Sequence, residues 1–365
     1  MKIIFNSTIF FNQRFGGISR YFINLAEQFE QNNINFSIVS PIYKNLYLRK
    51  LKKKFINGIF FPRYPTPNFL ININNEIANR IIEKKKPDII HDTYYSNSLL
   101  KFKNKKKILT IHDLIHEKFP QYFGDNNFKR LALKKKIIQN SDFFICVSQK
   151  TKNDFLEYYK VSEDRVRVIY HGSDHLKNIN YDNISIRKKP FLLFIGSRAK
   201  YKNFDLLVKA FSNSIFLRNN FDLICFGGDN FSKKELESFI KLKIEQNIKQ
   251  ISSDDGYLKF LYKNTSLLII PSSEEGFGIP LIEGMNMKCP ILVSDIEVFK
   301  EIAKDKINYF NDKSHEDLTF MIEKVILTKK LNEDCLEGAF KESEKFKWSI
   351  CASDVLNVYN ESLKN

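Results

Sequence analysis

Short apolar runs alternate with amphipathic stretches along the whole chain. In the first half, KIIF, FSIVS, PDIIHD, KILTIHD, FFICVS and VRVIYHG read as strands. In the second half, FLLFIG, FDLICFGG, SLLIIPSS and PILVSD read the same way. The segments between them have helical spacing. Ile18, Phe22, Leu25 and Phe29, for example, fall on one face of a helix. Strands that are apolar throughout, separated by helices, predict parallel sheets covered on both faces. Two such series in sequence predict an α/β chain of two Rossmann-like domains. The opening segment, MKIIFNSTIFFNQ, reads as one strand with polar interruptions.

A length of 365 residues agrees with two domains. The stretch Asn178–Pro190 is polar and aperiodic, and it ends in a proline before a new strand, so the boundary is expected there. The chain is accordingly divided into a first domain over 1–182 and a second over 183–345. A C-terminal helix over 346–365 is expected to return to the first domain. No solenoid repeat, low-complexity tract or G-x-G-x-x-G after a strand occurs, and the last absence argues against a dinucleotide dehydrogenase.

Charge changes the picture in one half only. The formal net charge is +16. Residues 1–180 hold 31 Lys and Arg against 15 Asp and Glu, whereas residues 181–365 hold 27 of each. The excess clusters at Lys50–Lys54, Lys84–Lys86, Lys101–Lys107 and Lys129–Lys136. The plain reading is solvated lysine surface. The functional readings are an anionic membrane surface or an anionic acceptor. No helix-turn-helix, zinc-finger or RNA-recognition signature accompanies the basic runs, so nucleic acid is not expected as a partner. The five cysteines (Cys146, Cys225, Cys289, Cys335 and Cys351) are scattered and form no C-x-x-C. They predict neither a disulfide framework nor a zinc site, and point to a reducing, cytoplasmic compartment. The start has no signal-peptide pattern, and no run of 18 apolar residues is present to span a membrane.

In open parallel sheets, ligands bind beyond the carboxyl ends of the strands. Polar residues and glycines gather at those positions in this chain. Gly16-Gly17 follows the first strand, His112-Asp113 follows KILTI, and Arg198, Lys202 and Asn203 follow FLLFIG. Gly227-Gly228 follows FDLICF, and Glu275-Gly276-Phe277-Gly278 follows SLLIIPSS. The last segment is the most informative. Pro280 suits the first turn of a helix, where its missing N–H has no helical partner. The glycines before it let backbone pass close to a ligand, and free N–H groups at the helix start can hold an anion or sugar hydroxyls. Arg198 and Lys202 supply two cations that can hold a diphosphate and stabilise charge on a leaving group.

Glu275 and Glu283, seven residues apart around GFGIPLI, resemble the E-x7-E motif of the retaining family 4 glycosyltransferases, which have the GT-B fold. The resemblance extends over nearly the whole chain. GGISRYFINLAEQF, THDLIHEKFPQYF, VSQKTKNDFLEYYKVSEDRVRVIYHGSD, FLLFIGSRAKYKN and FKWSICASDVLNVY all have family-like counterparts. It implies two Rossmann-like domains facing a central cleft. It also implies that Glu275 and the amides of Gly276, Phe277 and Gly278 hold the donor sugar, and that Glu283 binds ribose. Arg198 and Lys202 would bind the diphosphate, with the Gly16-Gly17 loop over the donor phosphates and His112 near the reacting carbon. Ser253-Asp254, before a helix containing Tyr257, resembles the segment that meets the base.

The implied activity is retaining transfer of a hexose from a nucleotide-sugar to a glycan or lipid-linked oligosaccharide in surface polysaccharide synthesis. THDLIHEKFPQYF leans towards mannosyltransferases and GDP-mannose. The nucleotide-sugar is a substrate, and no cofactor is expected. No D-x-D occurs in the chain, so side-chain cations rather than a metal are expected to neutralise the diphosphate. Two departures bear on local donor contacts. Lys288 stands in GMNMKCP where the family usually has glycine, and Lys300-Glu301 replaces a later Pro-Glu. Two further readings stay open: a non-transferase GT-B enzyme, such as a sugar-nucleotide epimerase or a phosphorylase, and a basic binding protein with a degenerate site.

Overall fold

The computed structural model describes residues 1–62, 68–102, 104–177, 179–181 and 189–364. The chain divides into two compact units, Met1–Gly172 with Trp348–Asn365, and Ser173–Lys347. Asn178 and residues 182–188 of the expected linker, and with them the expected 182/183 boundary, lie outside the described residues.

The first unit is built on a parallel sheet. Its strands are β1 (Ile3–Phe5), β2 (Phe36–Tyr43), β3 (Ile56–Phe60), β4 (Ile89–Asp92), β5 (Lys106–Ile111), β6 (Phe143–Cys146) and β7 (Val166–Val168). Their order is β3-β2-β1-β4-β5-β6-β7, and Phe5 pairs with Ile38 on one side and His91 on the other. One face of the sheet carries Phe22, Leu25 and Phe29 from the helix Gly17–Gln31, together with Trp348, Val355 and Tyr359 from the helix Trp348–Lys364. Ile18 packs at the edge of this core, so all four positions of the predicted apolar face turn inward. The Tyr359 hydroxyl lies 2.6 Å from His91 Nδ1, and Arg167 on β7 donates to Glu361. The other face carries Ala78 and Ile82 from the helix Asn68–Lys85, Ile137 and Ile138 from Asn126–Gln139, and Phe155 from Gln149–Tyr159.

The second unit repeats the plan with β8 (Phe191–Ile195), β9 (Asp222–Phe226), β10 (Ile248–Ile251), β11 (Leu267–Ile270), β12 (Ile291–Ser294) and β13 (Asn308–Phe310). The order is β10-β9-β8-β11-β12-β13, again parallel throughout. In both sheets the order reverses beside the first strand, between β1 and β4 and between β8 and β11. That reversal opens the crevice where doubly wound sheets take ligands.

The structure differs from the sequence reading in the opening segment and in three edge strands. The opening segment is not one strand: β1 ends at Phe5, and Thr8–Asn12 forms a short helix with Ile9, Phe10 and Phe11 buried. Its three consecutive buried apolar residues suit a strand or a buried helix equally, so periodicity alone does not separate them. A helix thus stands between the first strand and Gly16-Gly17, which opens the second helix, Gly17–Gln31. The strands β3, β10 and β13 were also not expected, and each lies at a sheet edge. Edge strands are covered on fewer sides, and INGIF, IKQI and NYF lack the continuous apolar run of a central strand. All five cysteines are unpaired.

Candidate active site

The reversal in the second sheet brings the loops after β8 and β11 side by side, because these strands are hydrogen-bonded neighbours. Lys202 comes from the first loop and Glu275 from the second, and Lys202 Nζ donates to Glu275 Oε1. Ser272 Oγ donates to the same oxygen at 2.8 Å. The loops are also joined through backbone, with Ser273 N donating to Tyr201 O at 2.8 Å. Both charged side chains are mostly buried, so their pairing offsets the cost of taking each from water.

Arg198 is held on several sides. Its Nε donates to Glu235 Oε1 at 2.5 Å, and one terminal nitrogen donates to the Asp229 and Asn230 carbonyls at 2.7 and 3.0 Å. The guanidinium also lies over the Phe231 ring, 4.7 Å from its centroid. Glu235 is fixed by a capping box with Ser232 at the start of the helix Lys233–Lys241. Against the upward push of burial, hydrogen bonds from Ser232 and Arg198 hold its carboxyl below the usual range. The other terminal nitrogen, Nη1, is buried with no hydrogen-bond partner among the described residues. Gly228 sits beside it at φ +73°. A Cβ there would come within 3.1 Å of Gly196 O and 3.4 Å of Arg198 Nη1. Glycine thus keeps open the space next to an unused cationic donor, an arrangement suited to an oxyanion.

The turn after β11 has the expected form. Gly278 precedes the helix Ile279–Asn286 at φ +96°, with Pro280 in its first turn. A Cβ at Gly278 would meet the Phe299 ring at 2.8 Å, so glycine is required by both conformation and space. Phe277 turns its ring into the protein, edge-on to Phe346, and offers the site only its backbone. Glu283 lies inside, 2% exposed. Its Oε2 accepts from the Tyr262 hydroxyl at 2.7 Å, and its Oε1 lies 3.2 Å from His175 Nε2. Asp254 caps the helix Asp255–Asn264, accepting from Tyr257 N at 3.0 Å, while Ser253 is exposed.

Of the predicted residues in this unit, then, Lys202 and Glu275 meet directly, and Arg198 borders the Gly227-Gly228 turn. Glu283 is engaged internally, and Asp254 is engaged in its cap. Sequence reasoning missed Glu235, Tyr262 and His175, whose roles depend on contacts between distant segments, and Ser272, which bonds Glu275 from three residues away. The S-x-x-E spacing of Ser232 and Glu235 is a helix-start signal that could have drawn attention to Glu235.

Lys288, where the family usually has glycine, takes φ +53°. That left-handed conformation is what glycine adopts most readily. Lys288 also pairs with Glu337 at 2.6 Å and lies over Phe340.

In the first unit, Gly16 caps the helix Gly17–Gln31 with extended backbone, and its carbonyl accepts from Ser19 Oγ and Arg20 N. His112 follows β5. Burial, reinforced by His171, His91 and Lys134, pushes it well below the usual imidazole range, so the ring is neutral near pH 7. It packs edge-on to Tyr21, and its Nε2 is buried without a hydrogen-bond partner among the described residues. A small pocket opens beside it, lined by Tyr94, Tyr95, Asp113, His116, Arg130 and Lys134. Tyr95 takes φ +38°, a strained value for a bulky side chain. Behind it Lys134 forms a buried pair with Glu117 at 2.7 Å. Among the described residues, no three His, Cys, Asp or Glu side chains group so as to hold a metal ion.

Two family descriptions match, one to each half. Glycosyltransferase Family 4 matches residues 15–175, and Glycosyl transferases group 1 matches residues 178–342. An uncharacterized glycosyltransferase of Methanocaldococcus jannaschii is 29% identical over 355 residues, covering 95% of each chain. An O-antigen chain mannosyltransferase of Salmonella typhimurium is 27% identical over 233 residues, covering 58% of this chain and 63% of its own. Among solved structures, the Anabaena protein HepE in complex with UDP-glucose superposes with a TM-score of 0.74 at 15% identity, covering 99% of this chain and 100% of its own. At that identity the likeness bears on fold alone.

Proposed function

The chain belongs to the group 1 glycosyl transferases of GT-B fold, and from that premise we propose that it is a retaining hexosyltransferase. It takes a nucleotide-sugar as donor, with GDP-mannose the first candidate, and a glycan or lipid-linked oligosaccharide as acceptor in surface polysaccharide synthesis. The observation that carries this reading is the pairing of Lys202 with Glu275 at the β8/β11 reversal, where a diphosphate and its sugar would lie together. The O-antigen chain mannosyltransferase among the relatives supports the choice of mannose and of a polysaccharide acceptor.

In this reading Arg198 Nη1 and Lys202 Nζ bind the diphosphate and stabilise the charge that builds on it as the sugar–phosphate bond breaks. Lys202 exchanges its contact with Glu275 for one with phosphate. Glu275, released, then positions the sugar with the amides of Gly276–Gly278. Because side-chain cations neutralise the diphosphate, turnover is proposed to survive chelation of divalent metal.

The test is a thermal-shift panel of GDP- and UDP-sugars, followed by transfer assays in EDTA. A ligand present at 100 times its dissociation constant stabilises the folded state by about 2.7 kcal/mol. GDP-mannose is expected to give the largest shift, and EDTA to leave turnover in place. No shift with any nucleotide-sugar, or activity abolished by EDTA and restored by Mg²⁺ or Mn²⁺, contradicts the reading.

A further inference from the structure

We propose that Asp92 is a positioning residue, whose carboxylate holds the turn after β4 so that Tyr94 and Tyr95 stand in the wall of the pocket beside His112. Asp92 ends β4 at the reversal of the first sheet and is 1% exposed. Its Oδ1 accepts from Asn6 Nδ2, and its Oδ2 accepts from Ser96 N at 2.8 Å. Asn6, just past β1, has its own side-chain oxygen committed, accepting from Thr93 N at 2.9 Å and from Thr93 Oγ1 at 2.8 Å. Ile9 N donates to Thr93 Oγ1 at 3.1 Å. One buried carboxylate thus ties the ends of β1 and β4 to the turn over residues 93–96.

That turn needs holding. Tyr95 takes φ +38°, a conformation that persists in a bulky residue only where its surroundings enforce it. The Tyr94 and Tyr95 ring centroids lie 5.2 Å apart, and Lys134 Nζ lies 4.8 Å from the centre of the Tyr95 ring. Both tyrosines line the pocket. The use of this wall in transfer rests on the reading that His112 lies near the reacting carbon.

The position requires an ionised carboxylate. Both oxygens face N–H donors, and only the ionised form accepts at both. A proton on either oxygen, or the amide of Asp92→Asn, sets donor against donor. Turning the Asn6 amide over gives no relief, because its oxygen would then leave Thr93. Among the described residues, the groups that meet Asp92 are uncharged: Asn6, Thr93, Ser96 and its β5 partner Leu109. His91, its neighbour in β4, turns to the other face and meets Tyr359. Charged and titratable groups stand around Tyr95 instead: Lys134, Glu117, Asp113 and Tyr159, with His116 and Arg130 in and beside the pocket.

The donors favour the ionised carboxylate, so a turn that keeps them holds the proton less tightly than one that has swung away, and acid favours the latter. Burial pushes the Asp92 carboxyl up to about 6, against hydrogen bonds from Ser96, Asn6, Tyr94 and Thr93. For the fold as a whole the sign is opposite. A carboxyl raised by burial binds its proton more tightly in the folded chain than in the unfolded one, so its own contribution to global stability is lost as pH rises. Release of the turn in acid is therefore separate from acid unfolding.

The experiment is fluorine NMR of the full chain carrying fluorotyrosine at position 95, followed from mildly acidic to mildly alkaline pH. It compares the wild type, Asp92→Asn and the exchange Asn6→Asp/Asp92→Asn. In the exchange, the amide at 92 donates to the carboxylate at 6 and accepts from Ser96 N, so every hydrogen bond has a counterpart. The measurement needs neither donor nor acceptor. Its failure bears on Asp92 alone, whereas absence of transfer by the wild type bears on the proposed function. The wild-type resonance is expected to shift with a midpoint of about 6. Asp92→Asn should keep the acid position throughout, and the exchange variant should regain the alkaline one. A flat wild-type titration, an Asp92→Asn resonance at the wild-type alkaline position, or a titration unchanged in Asp92→Asn, and so due to His116 or another neighbour, would each overturn the proposal. So would an exchange variant that is folded by circular dichroism yet stays at the acid position. If Asp92→Asn does not fold, the wild-type titration and the exchange variant decide the matter.

Discussion

Lys202 and Glu275, 73 residues apart in sequence, form an ion pair at neighbouring strand ends, with Ser272 as a second donor to the same carboxylate oxygen. The pair keeps a cation and a carboxylate in place without a ligand. It also makes each group a competitor for the other's proposed ligand contact. In the proposed function a diphosphate would draw Lys202 away from Glu275 before Glu275 could turn to the sugar.

The first prediction follows from this competition. Lys202→Ala is expected to remove the proposed charge-assisted contact to the diphosphate, worth about 1.5–3 kcal/mol, or about tenfold to 150-fold in affinity. Glu275→Gln removes Lys202's partner, so nucleoside diphosphate should bind as well as before or better, while turnover falls. Calorimetry and steady-state kinetics on the two variants separate these effects. Equal loss of nucleoside diphosphate affinity in both would show that the pair is structural only.

Arg198 gives a second, indirect prediction. Glu235 orients the guanidinium so that Nη1 faces the Gly228 turn. Glu235→Gln keeps the size of the side chain but removes its charge, and should weaken nucleoside diphosphate binding by about tenfold. Glu235→Asp should recover part of that loss, while Arg198→Ala should lose affinity whatever stands at 235. An additive loss in the Arg198→Ala/Glu235→Gln double variant would contradict coupling through the guanidinium.

Much of this arrangement was legible in the sequence. The central strands carry continuous apolar runs because helices cover both faces, and the glycines and cations at their ends stand out against those runs. The Gly278-Pro280 turn was readable because backbone conformation dictates both residues. The edge strands β3, β10 and β13 were not, because partial cover leaves them with mixed composition. The partners of Arg198 and Glu283 were not readable either. Glu235 is 37 residues from Arg198 and Tyr262 is 21 from Glu283, and no local pattern specifies a side-chain contact at such separations. Lys288 reads in the sequence only as a departure near the donor contacts, and the left-handed backbone it takes is not part of that reading.

The third prediction concerns Glu283, whose carboxylate is buried against Tyr262 and His175. If those contacts are its main role, Glu283→Gln lowers the unfolding temperature of the unliganded protein. Removing one member of a buried, hydrogen-bonded set costs about 1–3 kcal/mol. Tyr262→Phe should produce a smaller loss in the same direction. Ribose recognition would appear as a separate loss of nucleotide affinity in Glu283→Gln that Tyr262→Phe does not share. An unchanged unfolding temperature in Glu283→Gln would remove the structural role assigned to the carboxylate.

In the proposed reaction the diphosphate is held at Arg198 and Lys202 while a hexose moves to its acceptor on the same face from which the diphosphate departs. Leaving-group stabilisation by these cations would let the sugar–phosphate bond break with positive charge developing on the sugar ring, so that no covalent sugar–carboxylate bond would be needed. The direct measurement is proton NMR of the glycosidic linkage formed from a donor of known anomeric configuration. The product is expected to keep the donor's configuration, and an inverted anomeric centre would overturn the retaining assignment.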